Sequence, residues 1–147
     1  MKRLLAACAA LACLTCATAP AFAKDSFVTM TLDGRLVDRA GGNAIRHNGV
    51  VYADTVDITK SFNGLYSFQK GGGAIISIGT NTGTFRPGTL YATINRVGVK
   101  LPRRPFVRDG ELYVPLEFFI QHMADARVEF NAAKSRADIR VNATPPS

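Results

Sequence analysis

The side chains from which this chain could build chemistry are His47 and His122, the serines Ser61, Ser67 and Ser77, eleven carboxylates, and a run of cations from Arg96 to Arg108. A metal centre needs several imidazoles or comparable ligands converging on one point. His47 precedes an Asn-Gly turn and His122 borders an apolar helix face, so the two stand at unrelated places. All three cysteines fall within the first 23 residues. No metal or other cofactor is expected. Acyl transfer through serine needs a nucleophile on a strained, Gly-flanked turn, which none of the three serines has. Lys70-Gly71-Gly72-Gly73 lacks the Gly-Lys-Ser/Thr ending of a phosphate loop and reads as a hairpin turn. Glycoside cleavage asks for two carboxyl groups across a cleft, and the acids are scattered through turns and strand faces. The residues point away from an enzyme and toward binding.

Two features could serve binding. Arg96, Lys100, Arg103, Arg104 and Arg108 gather positive charge that can hold an anionic polymer or headgroup; the plain alternative is a solvated loop. Phe118 lies about 200° from Leu116 around the helical wheel, off the apolar face. It either packs against another part of the chain or is offered to a partner. Tyr52, Tyr66, Tyr91 and Tyr113 sit in strand-like segments where cross-strand packing is the ordinary role. There is no Trp to make a sugar platform.

The elements that must position these residues begin after an export signal. Lys2 and Arg3, an apolar run and Ala21-Phe22-Ala23 predict signal cleavage after Ala23, with the mature chain starting at Lys24. Leu5-Ala6-Ala7-Cys8 resembles a lipid-attachment signal but falls too early to follow a full apolar region. No later apolar stretch approaches the roughly 20 residues of a membrane span. The mature chain then has no cysteine, and packing alone must hold it in an oxidising compartment. A periplasmic or secreted location is expected, and nucleic acid is disfavoured as a partner despite a formal net charge of +7.

The mature chain repeats itself. His47-Asn48-Gly49-Val50-Val51-Tyr52 is echoed by Arg108-Asp109-Gly110-Glu111-Leu112-Tyr113, at an offset of about 61 residues for both the Gly and the Tyr. In the second copy, residues 90–107 read as two short strands around a polar turn, and Asp109-Gly110 as a hairpin. Pro115 suits the first turn of a helix, whose apolar face is Leu116, Phe119, Ile120 and Met123. Strands follow at 126–130 and 137–141, with Ile139 and Val141 inward. The first copy has strands at 27–32 and 35–37, a strand at Val50–Tyr52, and a weaker helix containing Ile58 and Phe62 that Asp54 could cap. Strands at 65–68 and 74–78 complete it. Segment 79–89, rich in Gly, Asn and Thr, reads as a connection. The expectation is an α+β fold of antiparallel, meander-type sheets with short packed helices, built from related units at about 26–80 and 87–142 that share one core.

This order, with Asp109-Gly110, Tyr113-Val114-Pro115-Leu116, a short helix and a strand–turn–strand finish, resembles the copper amine oxidase N-terminal-like domain, the stalk module of many secreted bacterial proteins. The resemblance covers most of 87–142 and, more loosely, 27–78, where Ala53-Asp54-Thr55 replaces Val-Pro-Leu. It implies a non-catalytic module without copper, since copper belongs to a separate, larger domain in the oxidases. The expectation is an exported binding or scaffolding module whose partner is an anionic cell-envelope polymer or an envelope protein. An envelope hydrolase or accessory enzyme, or a secreted inhibitor or assembly partner acting through Phe118, is the alternative.

Overall fold

The computed structural model describes residues 25–38 and 40–142; the expected export signal lies outside the described residues. In the first copy, β1 (Ser26–Leu32) turns into β2 (Arg35–Leu36), and β3 (Ala44–His47) turns into β4 (Val50–Asp54). Helix α1 (Thr55–Ser61) follows, then the hairpin of β5 (Leu65–Phe68) and β6 (Ala74–Ile78). After a further strand, β7 (Asn81–Phe85), the second copy repeats the order. It comprises β8 (Tyr91–Ile94), β9 (Val97–Lys100), β10 (Phe106–Arg108), β11 (Glu111–Pro115), α2 (Leu116–Met123), β12 (Ala126–Asn131) and β13 (Arg136–Val141). A single 3₁₀ turn, Ala132–Lys134, joins β12 to β13.

Short turns set the hairpins. Asp33-Gly34, Asn48-Gly49, Asn95-Arg96 and Asp109-Gly110 all hold both central residues at positive φ, the mirror-image geometry that matches strand twist. The helices start differently. Asp54 Oδ1 accepts a 2.9 Å hydrogen bond from Val56 N and caps α1. That bond helps a helix whose β-branched residues cost propensity. Pro115, expected to end the strand ladder and lead into the helix, ends β11, pairs with Tyr52 and sits just before α2 without a side-chain cap. Its extended ψ of 121° keeps it in the strand.

The two copies interleave. One sheet runs β10-β11-β4-β3-β1-β13-β12, with β2 beside β1; the other runs β5-β6-β7-β8-β9. Each sheet therefore takes strands from both halves. In the larger sheet the two copies meet at β4 against β11, Ala53 opposite Val114, and again at β1 against β13. Pairings are antiparallel except β1 with β13, where Met30 lies opposite Ala137. Between the sheets a single apolar cluster includes Met30, Ile58, Ile76, Phe85, Leu116 and Phe119. Phe85 and Phe119 meet at 5.5 Å between ring centroids. Burying side chains of this size contributes about 1.5–3 kcal/mol each, and here the contacts join both copies.

Segment 79–89, expected as a connection, supplies a strand. β7 pairs with β6 of the first copy and β8 of the second, so it closes the smaller sheet. Gly83 looked like a loop residue, but a Cβ there would lie 2.7 Å from Met123 Sδ and 2.8 Å from the Phe85 ring. The glycine lets α2 approach the strand. Val141, expected inward with Ile139, is exposed near the sheet margin while Ile139 is fully buried.

Candidate functional site

The Tyr echo brings its residues together. Because β4 and β11 are neighbours, Tyr52 and Tyr113 meet on the larger sheet's outer face, where Ile45 joins them and Val50 and Phe106 pack alongside. Phe106 stacks on Tyr113 at 5.4 Å and lies 4.7 Å from Tyr52. His47 closes the group, 5.1 Å from Phe106. Burial pushes the Tyr52 and Tyr113 hydroxyls up from the usual phenol value, so both stay protonated at neutral pH and can donate. Tyr52 donates to the carbonyl oxygen of Arg104 at 3.1 Å.

That bond helps fix residues 102–105, the strap leading from β9 to β10. Leu101 and Pro105 are buried at its ends. Leu101 N donates to Leu90 O at 2.7 Å, and Gly88 N to Pro105 O at 2.8 Å. Arg103 and Arg104 are exposed between these anchors. Together with His47, Asn48, Tyr52 and Phe106 they line a depression of about 410 Å³. Among the described residues neither arginine is in an ion pair. Two guanidinium groups over an aromatic floor can hold a carboxylate, phosphate or sulfate by bidentate hydrogen bonds.

The rest of the predicted basic run is dispersed. Arg108 is not a free cation: it pairs with Asp25, which also accepts a 2.8 Å hydrogen bond from His47 Nδ1. The Arg108 hydrogen bond, then that from His47, holds the Asp25 carboxyl below its usual range. Arg108 also lies 5.6 Å from the Phe106 centroid. Arg96 sits at the tip of the β8–β9 hairpin and Lys100 at the end of β9, both in the other sheet. Five cations close in sequence thus become three separate features, because strand β9 and the strap intervene.

Phe118 is not an exposed aromatic. Only 6% of it is accessible; it stacks on His122 at 4.0 Å. It also borders an apolar cavity of about 360 Å³ with Val50 and Val51 of the first copy, Pro102 and Phe130. It packs against the other repeat. The His122 ring donates through Nδ1 to Phe118 O at 2.9 Å. Among the described residues no group of three His, Cys, Asp or Glu side chains could hold a metal ion, and no helix is long and apolar enough to cross a membrane.

Sequence reasoning missed the His47–Tyr52–Phe106 floor. The signal was present in the equivalent Tyr residues of the echo, which a two-fold pairing of copies must bring near each other. Comparison with known protein families, with curated proteins and with solved structures finds no match.

Proposed function

We propose that the chain is an exported, non-catalytic binding module that engages an anionic polymer of the bacterial cell envelope. The observation that carries this reading is the pair Arg103–Arg104, exposed, without a carboxylate partner among the described residues, and held at the mouth of a depression by the Tyr52 hydrogen bond. Ordering two arginine side chains costs rotamer entropy; a strap fixed at both ends lowers that cost before a ligand arrives. The order of hairpin, helix and hairpin in each copy also supports kinship with the copper amine oxidase N-terminal-like module, and so a role in attachment. The export signal read from Lys2 to Ala23 supplies the envelope context.

The test is co-sedimentation of the chain from Lys24 with purified cell-envelope fractions at low and high salt. Pelleting at low salt that weakens at high salt is expected, since exposed charge interactions are screened within about 10 Å at 0.1 M. Arg103→Glu with Arg104→Glu should weaken it most at low salt. Failure to pellet at either salt would contradict the reading.

A further inference from the structure

Between Asp57 and Asp109 the chain contains no aspartate or glutamate. That stretch includes every strand of the five-stranded sheet, from Leu65 to Lys100. Its cations, Lys70, Arg86, Arg96 and Lys100, are all exposed, and among the described residues none is in an ion pair. A sheet of this size with positive charge and no carboxylate is complementary to a polyanion.

The outer face carries more than charge. Strand alternation turns Ala74, Ile76, Phe85, Ala92 and Ile94 into the core and leaves Ser77, Thr82, Thr84 and Thr93 on the other side. Register places Ser77 opposite Thr82, and Thr84 opposite Thr93. The strands that carry these hydroxyls lie about 4.8 Å apart, with successive outward residues about 6.8 Å apart along each, and the Ser77 and Thr82 hydroxyls share a 3.1 Å hydrogen bond. Each can both donate and accept, which suits a polyhydroxylated chain. Tyr91, 64% exposed, stands opposite Lys100 at one side of this array and can stack on a sugar ring. Thr80, Thr82, Thr84, Thr93, Asn95 and Arg96 line a depression of about 530 Å³ on this face. A nucleic acid strand would call for several stacking aromatics in sequence, whereas this face offers hydroxyls, one tyrosine and the aliphatic Leu65 and Ile75 beside them.

Arg96 supplies an independent pointer. In the other three turns that hold both central residues at positive φ the second position is Gly34, Gly49 or Gly110, but here it is Arg96 at φ 68°. A non-Gly residue in the left-handed region costs about 1–2 kcal/mol, and such strain gathers where a side chain has work to do. The chain places a cation, at an energetic cost, beside the threonine array.

We infer that the outer face of the five-stranded sheet, through Thr82, Thr84, Thr93, Tyr91, Arg96 and Lys100, binds a linear anionic glycan. The inference rests on the polymer-binding reading above and names a surface and a polymer class for it. The glycan's acidic groups pair with Arg96 and Lys100 while its hydroxyls exchange hydrogen bonds with the threonines.

The test is the affinity of the whole chain for sodium alginate, a polyuronate, against neutral dextran and oligothymidylate. Alginate is expected to bind at low salt, weaken as salt rises, and outcompete both controls. Arg96→Gly should raise the unfolding midpoint, by relieving the turn, yet weaken alginate binding about tenfold. Thr82→Val with Thr84→Val keeps β-branched strand residues and should weaken binding without changing its salt dependence, with circular dichroism confirming the fold. No alginate binding by the unaltered chain would overturn the inference, as would equal or tighter binding of oligothymidylate. If sheet variants bind normally while Arg103→Glu with Arg104→Glu does not, this surface is wrong and the polymer-binding reading stands. If the chain fails to bind both alginate and envelope fractions, both fall.

Discussion

In the eight-stranded sheet, Asp25 holds His47 and Arg108, Asp138 pairs with Arg136 at 2.8 Å and accepts a 2.6 Å hydrogen bond from Thr31, and Glu129 lies 3.5 Å from Arg127 and 3.8 Å from Arg140. In the five-stranded sheet the cations face solvent and no strand bears a carboxylate. Both sheets cover the same apolar cluster, so the difference is not one of folding need. Surface ion pairs contribute little stability, typically under about 1 kcal/mol, and their absence costs the second sheet little. What the second sheet keeps is unneutralised charge. One sheet pairs several of its charges internally; among the described residues the other pairs none.

The comparison breaks most completely if the sheets are separable. Deleting 87–147 removes four strands of the larger sheet and two of the smaller, so amides in 24–86 should exchange at unfolded rates. A cooperatively protected fragment would mean the first copy has its own core. Next in size is Phe119→Ala, which empties the contact with Phe85 between the sheets. It should cost about 3–5 kcal/mol in urea unfolding and keep a single transition. Two transitions would show that the sheets unfold independently.

The fold was more legible than the site. Asp-Gly and Asn-Gly turns, the strand at 74–78 and the helix at 116–123 could be read directly, because positive-φ turns and a 3.6-residue period leave local marks. β3 and β10 escaped notice because strands of three or four residues such as Ala44–His47 show too little alternation. β7 was hidden by its glycine, although Thr80, Thr82 and Thr84 alternate with Gly83 and Phe85 as a half-buried strand does. For Phe118 the sequence leaves packing against the other repeat and exposure to a partner both open, because a helical wheel sees only the helix's own apolar face, not Val50 and Val51 of the other copy; the structure buries it. The basic run looked like one patch because sequence proximity ignores the length of β9 between Arg96 and Lys100 and the strap before Arg108. The carboxylate-free stretch needs only the sequence to see, but its meaning depends on those residues forming one sheet.

Smaller effects sharpen the contrast. The copies begin their helices differently, by an Asp54 cap and by Pro115. Asp54→Ala should cost about 1–2 kcal/mol, measured by thermal or urea unfolding. Acid should act on the larger sheet alone. Asp25 and Asp138 have folded-state pKa values held down, Asp25 chiefly by Arg108 and Asp138 chiefly by Thr31. A depressed folded value means the unfolded chain binds the proton more tightly. The stability is therefore complete above the unfolded carboxylate value of about 3.9, and is lost as pH falls through the folded values. Asp25→Asn with Asp138→Asn should lower stability at neutral pH and flatten the acid limb of the stability curve. An unchanged acid limb would show that these pairs do not set it. The smallest change is expected from Arg86→Glu with Lys100→Glu, which touch no internal pair. Stability should move by no more than about 0.5 kcal/mol while anionic polymer binding falls.

The most direct measurement is hydrogen–deuterium exchange of the whole chain with and without saturating anionic envelope polymer. The account predicts new protection along β7, β8 and β9 and at 102–105, with β12 and β13 unchanged. Protection confined to β12 and β13, where cations already have carboxylate partners, would contradict it.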